Sequence, residues 1–198
     1  MPPEGKTRQP SVVFVPGLRE HVGDHWQTLL QDRIPGATCV PRLGKGTLSC
    51  TAWVEAIEGT IASAKGPVVL VAHSAGVLMV AHWARTYRRP VRGALLATPP
   101  DLDRELPAGY PSKRTLEDNG WMPIPLDPLP FESTLVASTN DPLATLERVS
   151  ELAMSWGSRL VRGGPVGHLN PASGYGEWSA STPLLSTYGV EVAPACRA

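Results

Sequence analysis

The sequence predicts an α/β fold in which helices cover both faces of a mostly parallel central sheet. Short apolar runs rich in β-branched residues alternate with longer segments whose apolar residues recur at helical spacing. Several short runs are apolar at every position, as is typical of strands buried on both faces of a parallel sheet. Five or six such alternations along one chain favour a parallel sheet with crossover helices.

The predicted strands are bounded by glycine and proline. The first run ends at Pro16-Gly17, and the most apolar run, Val68 to Ala72, follows Gly66-Pro67. The length and β-branching of the latter predict a central strand. In chain order the predicted strands are 11–15, 37–40, 68–72, 91–98, 133–137 and 159–161.

The predicted helices begin and end at ordinary helix signals. We expect Asp24 to cap the first helix and Pro35-Gly36 to end it, and Pro90 ends the third. Pro183 interrupts or opens the last. In chain order the predicted helices are 25–33, 51–64, 77–89, 143–155 and 178–188.

With 198 residues the chain predicts one domain over residues 1–198, without a large cap domain. We expect residues 1–10, polar and proline-bearing, to be flexible. Residues 99–130 are proline-rich, and we expect them to be irregular. The segment is too long for an ordinary connection, so it is either a lid-like pocket wall or a surface excursion without function.

The composition excludes several classes of protein. Lysine plus arginine and aspartate plus glutamate both number 18, and a net charge of zero argues against binding to nucleic acid or an anionic membrane. No signal peptide or membrane span is visible. The odd set Cys39, Cys50 and Cys196 lacks a CxxC spacing, which predicts reduced thiols in a cytoplasmic protein.

No cofactor or metal is expected. The short glycine pieces 44–46 and 163–164 do not have the pattern of a nucleotide site. His21 and His25 have a metal-like spacing, but Gly23 lies between them and no third ligand follows at a useful distance. The expected partner is a small-molecule acyl substrate, and no feature indicates a protein partner.

Three reactive side chains follow predicted strands. Ser74 follows the third strand, Asp141 follows strand 133–137 and His168 follows the last strand. Ligands bind beyond the carboxyl ends of parallel strands, so these residues are candidates for one site. Their chain order, Ser, Asp, His, is that of the α/β-hydrolase catalytic triad.

The sequence around Ser74 fits a nucleophile elbow. In Ala72-His73-Ser74-Ala75-Gly76, small residues stand two positions before and after the serine, where larger ones would clash in a sharp strand-to-helix turn. We therefore predict Ser74 as nucleophile, His168 as general base and then acid, and Asp141 as the residue that orients the imidazole.

The predicted oxyanion hole consists of two backbone N–H groups. One belongs to Ala75, at the start of the helix after the elbow, and the other to Leu18, in the loop after the first strand, with Gly17 as the flexible approach.

Four residues are predicted to contact substrate: Gly17, His73, Trp121 and Leu143. We expect the His73 side chain to point away from the Ser74 hydroxyl and to form a wall or a structural contact. Trp121, together with Met122 and Leu126, either lines an acyl pocket or forms a hydrophobic plug. Asp101 and Asp103 also follow a strand and are alternatives to Asp141.

These motifs together resemble the small serine hydrolases related to retinoblastoma-binding protein nine, over residues 11 to about 185. The resemblance implies a compact, capless α/β-hydrolase fold, the triad Ser74, Asp141 and His168, and a carboxylesterase-like activity without a fixed substrate. The matching pieces are Pro16-Gly17, His25-Trp26-Gln27, Ala72-His73-Ser74-x-Gly76, Ser138-x-Asn140-Asp141-Pro142, Gly167-His168-x-Asn170, Ser173-Gly174-x-Gly176 and Trp178.

The sequence thus predicts hydrolysis of acyl esters through an acyl-Ser74 intermediate. One alternative keeps the triad but acts as a thioesterase, acyltransferase or peptidase. The other is a protein-binding module whose triad turns over little.

Overall fold

The computed structural model describes residues 9–18, 22–44 and 47–194. Within these residues six strands form one sheet in the order β2-β1-β3-β4-β5-β6, and every neighbouring pair is parallel. This confirms the predicted α/β fold with a parallel sheet. The strands are β1 (Ser11–Val15), β2 (Thr38–Cys39), β3 (Val68–His73), β4 (Val91–Ala97), β5 (Ser133–Ala137) and β6 (Arg159–Arg162).

The helices cover both faces of this sheet. Those in the described residues are α1 (Trp26–Gln31), α2 (Cys50–Ala62), α3 (Ala75–Thr86), α4 (Lys113–Asp118), α5 (Leu146–Trp156) and α6 (Ser181–Ser186), with a 3₁₀ turn at Pro171–Ser173.

Alternate residues of the same strands enter two separate cores. Val68 and Leu70 of β3 pack with α2, α3 and α5, whereas Val69 and Val71 pack with α1 and α6. This is the two-residue period of a strand that is buried on both faces. The continuous apolar runs in the sequence have this origin.

The cap predicted for the first helix is wrong. His25, not Asp24, occupies the N-cap position, and its Nδ1 accepts the Gln27 N–H at 3.2 Å. An imidazole nitrogen with a free lone pair caps in the same way as the oxygen of the usual Ser or Asp. The helix is also shorter than predicted, six residues instead of nine.

Two further predictions need correction. Residues 99–130 are not irregular throughout, because α4 forms within them, capped by the Ser112 hydroxyl. The last helix begins three residues after Trp178, at Ser181, which places Pro183 in its first turn where proline is tolerated.

The chain changes direction across the sheet between β1 and β3. The connection from β1 leads to β2 on one side, whereas β3 lies on the other side and the sheet continues from there to β6. Ligand sites of open α/β sheets lie at such a switch point, beyond the carboxyl ends of the strands. Here those ends carry Pro16-Gly17 after β1 and Ser74 after β3.

Among the described residues no helix has the length and apolar character needed to cross a bilayer. Cys39 and Cys50 are not joined in a disulfide. The predictions for residues 1–8, His21, the piece around Lys45 and Gly46, and Cys196 fall outside the described residues.

Candidate active site

Ser74 occupies a sharp turn between β3, which ends at His73, and α3, which begins at Ala75. Its backbone has φ 56° and ψ −131°, a conformation that is costly for a residue with a side chain. Space is also tight two residues later: a Cβ on Gly76 would lie 2.4 Å from the Val15 carbonyl oxygen. The turn therefore requires glycine at position 76, for the steric reason that the sequence motif suggested.

The loop after β1 passes directly beside the serine. A Cβ on Gly17 would lie 3.0 Å from Ser74 Cβ and 3.4 Å from its Oγ. Gly17 thus allows the backbone to approach the hydroxyl closely. Leu18 and Ala75, the two residues predicted to supply oxyanion donors, line the same cavity as Ser74.

The three residues of the predicted triad form one chain of hydrogen-bonding contacts. His168 Nε2 lies 2.8 Å from Ser74 Oγ, and His168 Nδ1 lies 2.9 Å from one oxygen of Asp141 and 3.1 Å from the other. Since an ionised carboxylate only accepts, Nδ1 carries the proton in the neutral imidazole and Nε2 accepts the serine O–H. Both side chains of the His168–Asp141 pair are almost completely buried.

Asp141 is itself oriented by the turn that follows β5, where its Oδ1 accepts the Leu143 N–H at 2.8 Å. The alternatives Asp101 and Asp103 instead contact Arg148 of α5, Asp101 at 3.4 Å. Among the candidate acids, the structure brings Asp141 to His168.

His73, the residue before the serine, contacts the segment that carries His168. Its Nε2 lies 2.8 Å from the His168 carbonyl oxygen. Burial, and then the imidazoles of His168 and His25, hold the pKa of His73 well below its ordinary value, so this ring is neutral. It also lines the cavity.

The loop that carries His168 is held by polar side chains that belong to the matching motifs but whose roles were not predicted from the sequence. Asn140 Oδ1 accepts the Gly167 N–H at 2.7 Å, and Ser173 Oγ accepts the His168 N–H at 3.0 Å. Asn170 Oδ1 in turn accepts from the backbone N–H of Ser173 and from its hydroxyl, each at 2.9 Å. The sequence contained a signal for the role of Asn170, because asparagine followed by proline, here Pro171, is a common start of a helical turn.

A cavity of about 570 Å³ opens over Ser74. Of the nine predicted site residues, eight line it, and Asp141 contacts His168 instead. The lining is mostly apolar, and much of it comes from residues 99–130, which therefore form a pocket wall. The lining residues not predicted from sequence are Val22, Asp24, His25, Gln27, Leu48, Pro100, Leu102, Leu106, Gly109, Tyr110, Pro111, Leu116, Asn170, Pro171 and Ala172.

Trp121 both lines this cavity and anchors its wall. Its indole N–H donates to the Leu48 carbonyl at 2.6 Å, and its own carbonyl lies 3.1 Å from Nε2 of His82 on α3. The two alternatives, pocket lining and hydrophobic plug, are thus both realised by this residue. Met122 packs against the core, and Leu126 is 49% exposed and is not among the lining residues.

The cysteines and metal-ligating side chains of the described ranges offer no competing reactive centre. No group of three or more His, Cys, Asp or Glu side chains is arranged there to hold a metal ion. Burial raises the pKa of Cys50 to about 11 and that of Cys39 to about 12, so both remain thiols near neutral pH. Ser74 is therefore the nucleophile candidate that this part of the chain offers together with a base.

Comparison with known proteins gives a family match over most of the chain. The model of the serine hydrolase family matches residues 12–187. A solved YdeN-like hydrolase from Pectobacterium atrosepticum is 28% identical, with a TM-score of 0.78, over 91% of this chain and 90% of that one. No match was found among curated proteins.

More distant structures share the fold. The ydeN gene product of Bacillus subtilis is 15% identical with a TM-score of 0.72, covering 91% of this chain and 99% of that one. Est1E from Butyrivibrio proteoclasticus is 11% identical with a TM-score of 0.65, covering 96% and 89%. At these identities the likeness concerns the architecture, a mostly parallel sheet with flanking helices.

Proposed function

The chain belongs to the serine hydrolase family, and from this premise we propose that it hydrolyses acyl esters through a covalent acyl-Ser74 intermediate. The observation that carries the proposal is the continuous contact from Asp141 through His168 to Ser74, at 2.9 and 2.8 Å, beneath the cavity. A serine hydroxyl is a weak nucleophile unless an adjacent base removes its proton.

In the first half-reaction Ser74 Oγ attacks the ester carbonyl carbon while His168 Nε2 takes the hydroxyl proton. Asp141 stabilises the imidazolium that results and holds the ring in the reactive orientation. The negative charge on the carbonyl oxygen is stabilised by the N–H groups of Ala75 and Leu18. His168 then gives its proton to the leaving alcohol, which departs and leaves the acyl group on Ser74.

In the second half-reaction His168 removes a proton from water, which attacks the acyl carbon. Collapse of the second tetrahedral intermediate returns the proton to Ser74 and releases the carboxylic acid. The protein thus uses one ester and one water and forms one alcohol and one acid, with its own groups unchanged.

The cavity supports a substrate with an apolar acyl group. Its apolar walls include Leu18 and Leu143, together with Leu102, Leu116 and Trp121 from the segment 99–130. A volume of about 570 Å³ is within the range of small-molecule sites. An ester rather than an amide is preferred because the family resemblance implies a carboxylesterase-like activity, and the same triad would serve a thioesterase, acyltransferase or peptidase.

The first test is intact-mass spectrometry after treatment with a fluorophosphonate. We expect one adduct on the wild type and none on Ser74→Ala. A folded wild type that forms no adduct would overturn the proposal and favour a protein-binding module. An adduct that persists on Ser74→Ala would place the reactive group elsewhere.

A second test compares candidate acids with matched variants. With 4-nitrophenyl esters of increasing acyl length, we expect Asp141→Asn to lower kcat by about 10³- to 10⁴-fold. The same change at Asp103, which contacts Arg148 on the surface, should leave most of the activity. Equal losses in the two variants would contradict the role given to Asp141. If every oxygen ester were turned over slowly and a thioester or an anilide were turned over fast, the proposed substrate class would change from ester to thioester or amide.

A further inference from the structure

Both backbone polar groups of His168, its N–H and its carbonyl oxygen, contact side chains of other residues. Its N–H donates to Ser173 Oγ at 3.0 Å, and its carbonyl oxygen lies 2.8 Å from His73 Nε2 and 3.4 Å from Thr98 Oγ1. The next residue, Leu169, has φ 47°, so the chain turns away sharply after His168. The carbonyl of His168 is thus a fixed point from which its side chain reaches Ser74.

His73 is suited to hold this point. It is 5% exposed, and its ring lies against those of His25 at 4.7 Å, Trp26 at 5.9 Å and His168 at 5.0 Å. A carbonyl oxygen only accepts, so Nε2 of His73 carries the proton and donates it to the His168 carbonyl. The packed rings leave His73 little freedom to rotate away from this bond.

The same residue is joined covalently to the nucleophile. His73 ends β3 and Ser74 follows it. One rigid turn therefore carries both the Ser74 hydroxyl and His73 Nε2, which donates to the loop that carries His168. His73 and His168 are 95 positions apart in the chain. This bond therefore ties the nucleophile turn to the base loop at a point other than the reacting atoms, Ser74 Oγ and His168 Nε2.

We propose that His73 is a positioning residue, whose Nε2–H fixes the His168 carbonyl and thereby sets the distance between His168 Nε2 and Ser74 Oγ. This inference rests on the proposed function of Ser74 and His168. It assigns His73 no part in proton transfer to the substrate. It also goes beyond the wall or structural contact expected from the sequence, since it gives the ring an effect on the position of the base.

The effect of losing this bond should appear in kcat. A misplacement of about 1 Å in a reacting group costs about 100-fold in rate, even when substrate still binds. His73→Met removes the donor but retains a flexible apolar side chain that fills irregular space. In His73→Gln the amide nitrogen is separated from Cβ by the same number of bonds as Nε2 of histidine, so the donor is restored.

The experiment measures kcat and KM for 4-nitrophenyl butyrate. We expect His73→Met to lower kcat by about 30- to 100-fold with KM changed by less than about 2-fold, and His73→Gln to remain within about 5-fold of the wild type. Thr98→Val removes the longer contact and should cost only about 2- to 3-fold. A methionine variant as active as the glutamine variant, or a change confined to KM, would overturn the proposal.

A second measurement does not depend on the methionine variant folding. In ¹⁵N-histidine NMR spectra of the wild type, with His73→Gln used for assignment, we expect His73 to be neutral with its proton on Nε2 at pH 7. A proton on Nδ1 instead would overturn the proposal. The fluorophosphonate adduct on the wild type separates the two questions: if it is absent, the proposed function fails, whereas an adduct combined with an Nδ1 proton on His73 refutes only the positioning role.

Discussion

The turn that carries Ser74 and the loop that carries His168 lie at the same edge of the sheet, yet they are held in different ways. The turn at residues 72–76 is fixed by steric exclusion, because Gly76 fits against the backbone of Val15 and Pro16 with no room for a Cβ. The loop at residues 163–175 also contains a closely packed glycine, Gly167, where a Cβ would lie 2.5 Å from Ser173 Oγ, but the atom it meets belongs to a side chain. In addition, hydrogen bonds from the side chains of Asn140, Asn170 and Ser173 hold this loop. The comparison teaches that the nucleophile turn is constrained by contacts with backbone atoms, whereas the base loop depends also on a polar network of side chains.

The largest expected effect tests the steric half of this comparison. In Gly76→Ala the new Cβ would lie 2.4 Å from the Val15 carbonyl oxygen and 2.6 Å from that of Pro16, both backbone atoms that cannot rotate away. We expect a loss of about 3 kcal/mol in the free energy of unfolding and no detectable ester hydrolysis. Urea denaturation and a 4-nitrophenyl butyrate assay measure the two effects.

A matched control is Gly59→Ala in α2, since Gly59 is exposed and a Cβ there would meet nothing within 4 Å. That variant should be more stable by up to about 1 kcal/mol, because alanine favours the helix, and fully active. If Gly76→Ala were tolerated as well as Gly59→Ala, the turn would not be sterically determined.

A smaller loss of stability and activity is expected when the polar network of the His168 loop is changed. Ser173→Ala keeps the Cβ but leaves the His168 N–H without its acceptor. We expect stability to fall by about 1–3 kcal/mol and kcat to fall by about tenfold with the fold intact, because a network of side chains relaxes where packed backbone does not.

The control for Ser173→Ala is Thr145→Ala, which removes a comparable hydroxyl acceptor at the start of α5. It should cost about 1 kcal/mol in stability and leave kcat unchanged. Equal kcat in the two variants would show that Ser173 acts only on stability.

The smallest expected effect is a pH dependence of the free energy of unfolding, to which His73 beside the nucleophile turn contributes and Ser173 of the base loop does not. The pKa of His73 in the folded protein lies below its ordinary value of 6.5 because of burial and the nearby imidazoles of His168 and His25, and burial also lowers the pKa of His82. The unfolded chain therefore binds protons near pH 6.5 that the folded protein does not, and stability falls as pH drops below about 6.5. The slope is at most about 1.4 kcal/mol per pH unit for each histidine.

Urea denaturation at pH 7.5, 6.5 and 5.5 measures this loss. His73→Gln should lose part of the pH dependence, since an amide does not titrate in this range. Ser173→Ala should keep the full slope, because Ser173 and Asn170 are neutral throughout. A His73→Gln variant with an unchanged slope would mean that folding does not lower the pKa of His73.

The two regions also differ in how far the sequence predicted them. The nucleophile turn was predictable because its determinants are adjacent: an apolar strand, a serine, a glycine two residues later and a helix. The positions of Asp141 and His168 after two later strands were predictable from the rule that parallel strands end at the same edge. The capping role of His25 and the helix within 99–130 were not, since an imidazole is an unusual cap and proline-rich sequence gives little helical signal.

The sequence by itself determined the α/β architecture, the family and the candidate triad, because each is encoded in local patterns whose order along the chain follows general rules of sheet topology. Only the tertiary structure decided which acid meets His168, how residues 99–130 form the cavity wall, and that His73 holds the His168 carbonyl. These contacts join residues far apart in the chain, such as His73 and His168, 95 positions apart. The distances in these contacts depend on how the helix layers pack against the two faces of the sheet. No local sequence pattern specifies this packing.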